Sequence, residues 1–146
     1  MKNAVIFDRK FFKFLLVGII NTIVGSAIMF LLYNTAHFSY WLSSACNYFL
    51  TSILSFFLNK YFTFGVRRWT AFMVIAFVMT IAISYLIAYG ASKPAMNYLL
   101  RESPQKLREN AALFTGMCLF TGLNYLGQRL VVFKGEGERG YHGYEN

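Results

Sequence analysis

Between Asp8 and Glu102 the chain carries no acidic residue, and long stretches of that interval carry no charge of either sign. Few folds tolerate this. A water-soluble domain spreads charge over its surface, at about 25% of residues, whereas only 14% of this chain is charged and 57% is hydrophobic. Uncharged apolar runs of about 20 residues, at 1.5 Å rise per residue, span the hydrocarbon of a bilayer. Four candidates are present, at roughly Phe14–Tyr33, Tyr40–Leu58, Trp69–Tyr89 and Ala111–Phe133, the last with Arg129 near its end as its one charge. The expected fold is all-α: a polytopic membrane protein whose four transmembrane helices form two helical hairpins. The spans use most of the chain, which leaves no room for a soluble catalytic domain.

The cations show how such a protein would sit. Ten of the fourteen Lys and Arg fall in the N-terminal segment, after the second span, or at the C-terminal end. The first loop, "NTAHFS", has none, and the last loop holds Lys93, Arg101, Lys106 and Arg108. Cytoplasmic loops carry the excess of Lys and Arg, so both termini and the middle loop are expected in the cytoplasm. The net charge of +8 is thereby assigned to membrane lipids with anionic headgroups and not to nucleic acid. Lys2, Arg9, Lys10 and Lys13 resemble the basic start of a signal peptide, but the apolar run after them is too long and lacks a small-residue cleavage site. It is read as a retained span.

The polar residues inside the spans are regularly placed. Gly18, Asn21, Thr22, Gly25 and Ser26 form one helical stripe in the first span. Ser44, Asn47, Thr51, Ser55 and Asn59 form another in the second, and Thr121, Asn124, Tyr125, Gln128 and Arg129 a third in the fourth. Small and hydroxylated residues at this spacing are the ordinary packing surface of membrane helices. The amides Asn21, Asn47, Asn59 and Asn124 need donors and acceptors away from water, so both helix packing and ligand contact are open to them. The third span is poorer, with Thr80, Ser84 and Tyr85.

Two segments echo each other. "SFFLNKYFTF" and "NYLGQRLVVF" align at an offset of 69 residues, setting Asn59 on Gln128, Lys60 on Arg129 and Phe64 on Phe133. Each hairpin would thus return to the cytoplasmic face with an amide, a cation and a terminal Phe. Duplication and the common tendency of inward-returning spans to end in Lys or Arg both account for this. Lys60 and Arg129 can serve as interfacial anchors or meet a phosphate. Pro94 is expected to end the third helix, and Ser103-Pro104 to cap the fourth, with Pro at its first position. The tail at 135–146, "GEGERGYHGYEN", is expected to be disordered and cytoplasmic.

Several functions are disfavoured by what the spans lack. They hold no carboxylate, which a proton-coupled drug exporter needs. No metal-ligand spacing, nucleophile–base set or phosphate loop is present, so no metal, no cofactor and no catalytic residue is expected, and the chain is not read as an enzyme. Cys46 and Cys118 are read as small buried hydrophobes, and His37 and His142 as solvated loop and tail residues.

"FFKFLLVGIINTIVGSAIMFLLY", "LNKYFTF" and "LNYLGQRLVVF", in this order and within four spans, resemble the GtrA-like membrane proteins over about Phe11 to Lys134. The resemblance implies a GtrA-like domain over residues 1–134, in the bacterial plasma (inner) membrane. It implies translocation of a polyprenyl-phosphate-linked monosaccharide for glycosylation of cell-surface polysaccharide or teichoic acid, with a separate polyprenyl-phosphate glycosyltransferase making the substrate. By position, the implied substrate-binding residues are Asn21, Asn59, Lys60, Phe64, Asn124 and Arg129, and the 69-residue echo adds Gln128. The chain departs from many members in having no charge inside the third span. The alternative is a non-catalytic scaffold or anchor subunit for that glycosyltransferase. A homodimer is expected as the working unit, since four short helices enclose little space and Gly18, Gly25 and Ser26 permit close approach of another helix.

Overall fold

The structure, a computed structural model, describes residues 7–134. The expected disorder of residues 135–146 lies outside them. The described residues form four α-helices: α1 (Arg9–Asn34), α2 (Tyr40–Phe57), α3 (Ala71–Leu99) and α4 (Gln105–Gly127). Two short π-helical segments extend α2 and α4, at Leu58–Thr63 and Gln128–Val132. Contacts divide the chain between Arg68 and Trp69 into two compact units. Each is one helical hairpin, α1–α2 in the first and α3–α4 in the second, as the sequence pattern predicts.

In the first unit, Asp8 caps α1 by accepting from the backbone N–H groups of Lys10 and Phe11 (3.1 and 3.2 Å). The helix ends before a five-residue turn in which His37 adopts φ 55°, and Ser39 caps α2 through Leu42 N–H (3.2 Å). Phe12, Leu16, Ile19, Ile23, Phe30 and Leu31 all face outward on α1. In water such a surface would drive aggregation, whereas in lipid it is the solvated face. Helix packing in lipid gains little from apolar burial and relies on close approach of small residues. Gly25 is the approach point here: a Cβ on it would lie 2.5 Å from Asn47 Oδ1 and 3.1 Å from Thr51 Cγ2. The predicted stripe on α1 is divided accordingly. Gly25 packs on α2 and Asn21 is half-buried, but Gly18, Thr22 and Ser26 are exposed. Thr22 satisfies its own hydroxyl by donating to Gly18 O (2.9 Å).

The second unit is built the same way. Gly116 accepts the Tyr89 ring and Ser92 Oγ against its bare Cα, and Gly127 accepts Thr80. The three buried residues of α1, namely Phe14, Val17 and Gly25, correspond at a constant offset of 59 to buried Met73, Ala76 and Ser84 of α3. The returning helices correspond at the offset of 69. The second hairpin is therefore ten residues longer across its turn.

That extra length explains two departures from the sequence reading. α3 does not end at Pro94 but runs through it to Leu99. Proline lacks the N–H for one helical bond and crowds the carbonyl four residues back. Here that residue is exposed Gly90, with open space beside it. Buried Ser92 against Gly116 holds the helix to α4 at this level. At the start of α4, Pro104 has ψ 145° and is itself the cap, so Gln105 is the first helical residue. Pro104 O accepts from Leu107 and Arg108 N–H (3.0 and 3.2 Å). Both cysteines are free, and Cys118 is exposed rather than buried.

Candidate functional site

The two π-helical segments are where the amides and cations of the sequence pattern come to lie. A π-helical turn inserts one extra residue between hydrogen-bonded partners, and such turns concentrate at functional positions. In the first, Phe64 N–H donates to Asn59 O (2.9 Å); in the second, Phe133 N–H donates to Gln128 O (2.9 Å). These are corresponding atoms at the offset of 69. The side chains repeat as well. Asn59 Nδ2 donates to Ser55 Oγ (3.3 Å), and Gln128 Nε2 donates to Asn124 Oδ1 (3.3 Å). Ser55 and Asn124 are again corresponding positions. Phe64 and Phe133 are both buried and close their turns from within.

The two turns differ in how the amide oxygen is satisfied. Asn59 Oδ1 accepts from Thr63 Oγ1 (3.1 Å), so its amide is satisfied at both ends. The residue corresponding to Thr63 is Val132, which has no hydroxyl to offer. Gln128 is 0% exposed, and its Oε1 has no hydrogen-bond partner among the described residues. An unanswered buried acceptor is costly. Val132→Thr, isosteric and placed as Thr63 is, is therefore expected to raise thermal stability in detergent by about 1 kcal/mol. A lower melting temperature would show that the carbonyl already has a partner.

The cations also differ. Lys60 is 0% exposed and closes the end of its own turn. Its backbone O accepts from Val66 N–H (2.8 Å), and its Nζ donates back to Val66 O (2.9 Å). Gly65, between them, has φ +66°, a left-handed conformation that glycine adopts without steric cost. This is a helix C-terminal motif locked by a side chain, and the Lys60 ammonium also lies 4.1 Å from the Tyr61 ring centroid. Lys60 thus holds a backbone turn and does not reach outward as an interfacial anchor. Arg129 is half-buried and donates to Tyr125 Oη (2.6 Å).

A cation that the sequence reading passed over joins the first turn. Lys13 Nζ donates to Phe62 O (3.1 Å) and sits 4.9 Å from the Phe62 ring. Its basic-segment context concealed it; only the packing of α1 on the turn brings it there. Asn21 lies two turns of helix further along α1. Among the described residues its Oδ1 is buried without a partner, as is that of Asn47 on α2, and no hydrogen bond joins Asn21 to the first turn. The structure thus groups Asn59, Lys60 and Phe64 in one turn, and Asn124, Gln128 and Arg129 in the other.

Among the described residues no group of three His, Cys, Asp or Glu is placed to hold a metal ion. Two helices, α1 and α3, are long and apolar enough on their own to cross a membrane. Comparisons with curated proteins and with solved structures gave no match. A family model, described as the GtrA/DPMS transmembrane domain, matches residues 13–133. Nearly the whole chain is covered, from Lys13 beside the first turn to Phe133 at the close of the second, and the chain belongs to the GtrA/DPMS transmembrane-domain family, as an all-α membrane protein of polyprenyl-linked sugar pathways.

Proposed function

We propose that this protein moves a polyprenyl-phosphate-linked monosaccharide across the bacterial plasma membrane, for glycosylation of cell-surface polysaccharide or teichoic acid, without chemistry of its own. The observation that supports this most directly is Gln128 Oε1, a fully buried acceptor with no donor among the described residues, one residue from the half-buried cation Arg129. A polyprenyl phosphosugar offers the complement: a hydroxyl to donate and a phosphodiester to accept charge-assisted bonds. Its long tail stays in lipid, beside apolar helix faces. Asn59, Lys60 and Phe64 form the corresponding turn of the first hairpin, Lys13 adds a cation there, and Asn21 offers an acceptor further along α1. A polyprenyl-phosphate glycosyltransferase loads the lipid at the cytoplasmic face. Two copies form the working unit, with Gly18 and Ser26 left for contact because Gly25 is used inside its own hairpin.

Purified protein in liposomes tests the reading. Lipid-linked sugar placed in one leaflet should become accessible in the other without the glycosyltransferase. No movement, together with a rise in glycosyltransferase activity when the two are co-reconstituted, would instead show a scaffold.

The proposed orientation has its own test. In a variant lacking Cys46 and Cys118, a cysteine at Ala36 should react with an impermeant maleimide from outside intact cells. One at Gly137 should react only after permeabilisation. The opposite pattern would invert the topology.

A further inference from the structure

The ten additional residues of the second hairpin lie across its turn. Asn34 and Tyr40 bracket the first turn; Lys93 and Glu109 hold the corresponding positions in the second. Between them α3 is prolonged past Pro94 and α4 begins early. Beside this prolongation lies a cleft of about 300 Å³ lined by Tyr89, Ser92, Lys93, Asn97 and Glu109, with Ala112 and Leu113. That volume is at the lower end for small-molecule sites and suits one monosaccharide.

Its chemistry is mixed in an informative way. Lys93 and Glu109 share the cleft, yet among the described residues no ion pair joins them, and Lys93 has no hydrogen-bond partner. Glu109 Oε1 accepts from Gln105 Nε2 (2.8 Å), which steadies the carboxylate at the rim. Asn97 supplies an amide, Ser92 a hydroxyl and Tyr89 a ring edge. One cation, an amide, a hydroxyl and a carboxylate set in a largely apolar wall match a phosphate ester joined to a sugar ring, whose edges are polar and whose faces are apolar.

The cleft is also far from the Gln128–Arg129 turn. Gly127 packs on Thr80, and Lys93 lies thirteen residues further along α3, about 20 Å at 1.5 Å per residue. We propose that this cleft is a second headgroup site, which takes the sugar phosphate at the opposite end of the same hairpin: Lys93 on the phosphate, Asn97 and Glu109 on sugar hydroxyls, and Tyr89 against the ring. It rests on the translocation reading and makes the cleft the release side of that path.

The test is protection of Lys93 from acylation by an impermeant N-hydroxysuccinimide ester, read by mass spectrometry on the full chain in nanodiscs, which expose both faces. Exposed Lys106, outside the cleft, is the internal reference. A short-chain polyprenyl-phosphate hexose at ten times its Kd should slow Lys93 acylation about tenfold and leave Lys106 unchanged. Asn97→Ala, on an exposed face, should shift the protecting concentration upward. Equal protection by inorganic phosphate alone would reduce the cleft to an anion site and overturn the proposal, as would no protection by any probe. Protection without movement in liposomes would keep the headgroup site and remove the translocation reading. Movement without protection would do the reverse.

Discussion

Arg129→Ala is expected to weaken binding of the lipid-linked sugar by roughly tenfold to a hundredfold, while the protein still inserts and folds. The estimate follows from loss of one charge-assisted hydrogen bond, about 1.5–3 kcal/mol. Arg129 is the half-buried cation of the second turn, and it donates to a side-chain hydroxyl, Tyr125 Oη. The control is Tyr125→Phe, which removes that hydroxyl and keeps the charge. If Arg129 acts on phosphate, Tyr125→Phe shifts the half-saturating lipid concentration much less than Arg129→Ala does. Equal shifts in both variants, matched by equal losses of thermal stability, would make Arg129 a structural residue.

Lys60→Met is expected to behave differently, although the two positions correspond. It keeps the aliphatic stem and removes the bond to Val66 O. That leaves a carbonyl unpaired at the end of the turn, at a cost of about 1–3 kcal/mol. Gly65→Ala should damage the same feature from the other side, because φ +66° costs a residue with a Cβ about 1–2 kcal/mol. Both variants should melt earlier in detergent, and transport per folded molecule should fall less than for Arg129→Ala. Loss of transport in Lys60→Met with an unchanged melting temperature would place Lys60 on the ligand instead of on the turn.

The two cations hold corresponding positions in the repeat and have different hydrogen-bond partners. Lys60 and Arg129 are interchangeable in a sequence alignment of the two hairpins. What separates them is Gly65, which lets the chain turn back so that Val66 O comes within reach of Nζ. The amides separate in the same way. Asn59 is completed by Thr63, and Gln128 is left open because Val132 stands at the corresponding place. Both differences were written in the sequence, but their meaning depended on a π-helical register that apolar periodicity does not reveal.

The sequence by itself determined the four helices, their pairing into two hairpins and the 69-residue correspondence of the returning ends. Bilayer thickness fixes the length of an apolar run, and unsatisfied backbone in lipid forbids anything but helix within it. Those constraints act on every span separately and need no knowledge of neighbours. Only tertiary structure decided which members of a small-residue stripe are used: Gly25 meets Asn47 and Thr51, whereas Gly18 meets nothing within 4 Å. It decided that Pro94 lies inside α3, because packing of Ser92 on Gly116 outweighs one missing hydrogen bond. It also brought Lys13 to Phe62, and Lys93 to the cleft that holds Glu109. These are meetings between residues distant in the chain. They follow from where one helix closes on another, which is set by the few places where a missing side chain lets the backbones approach.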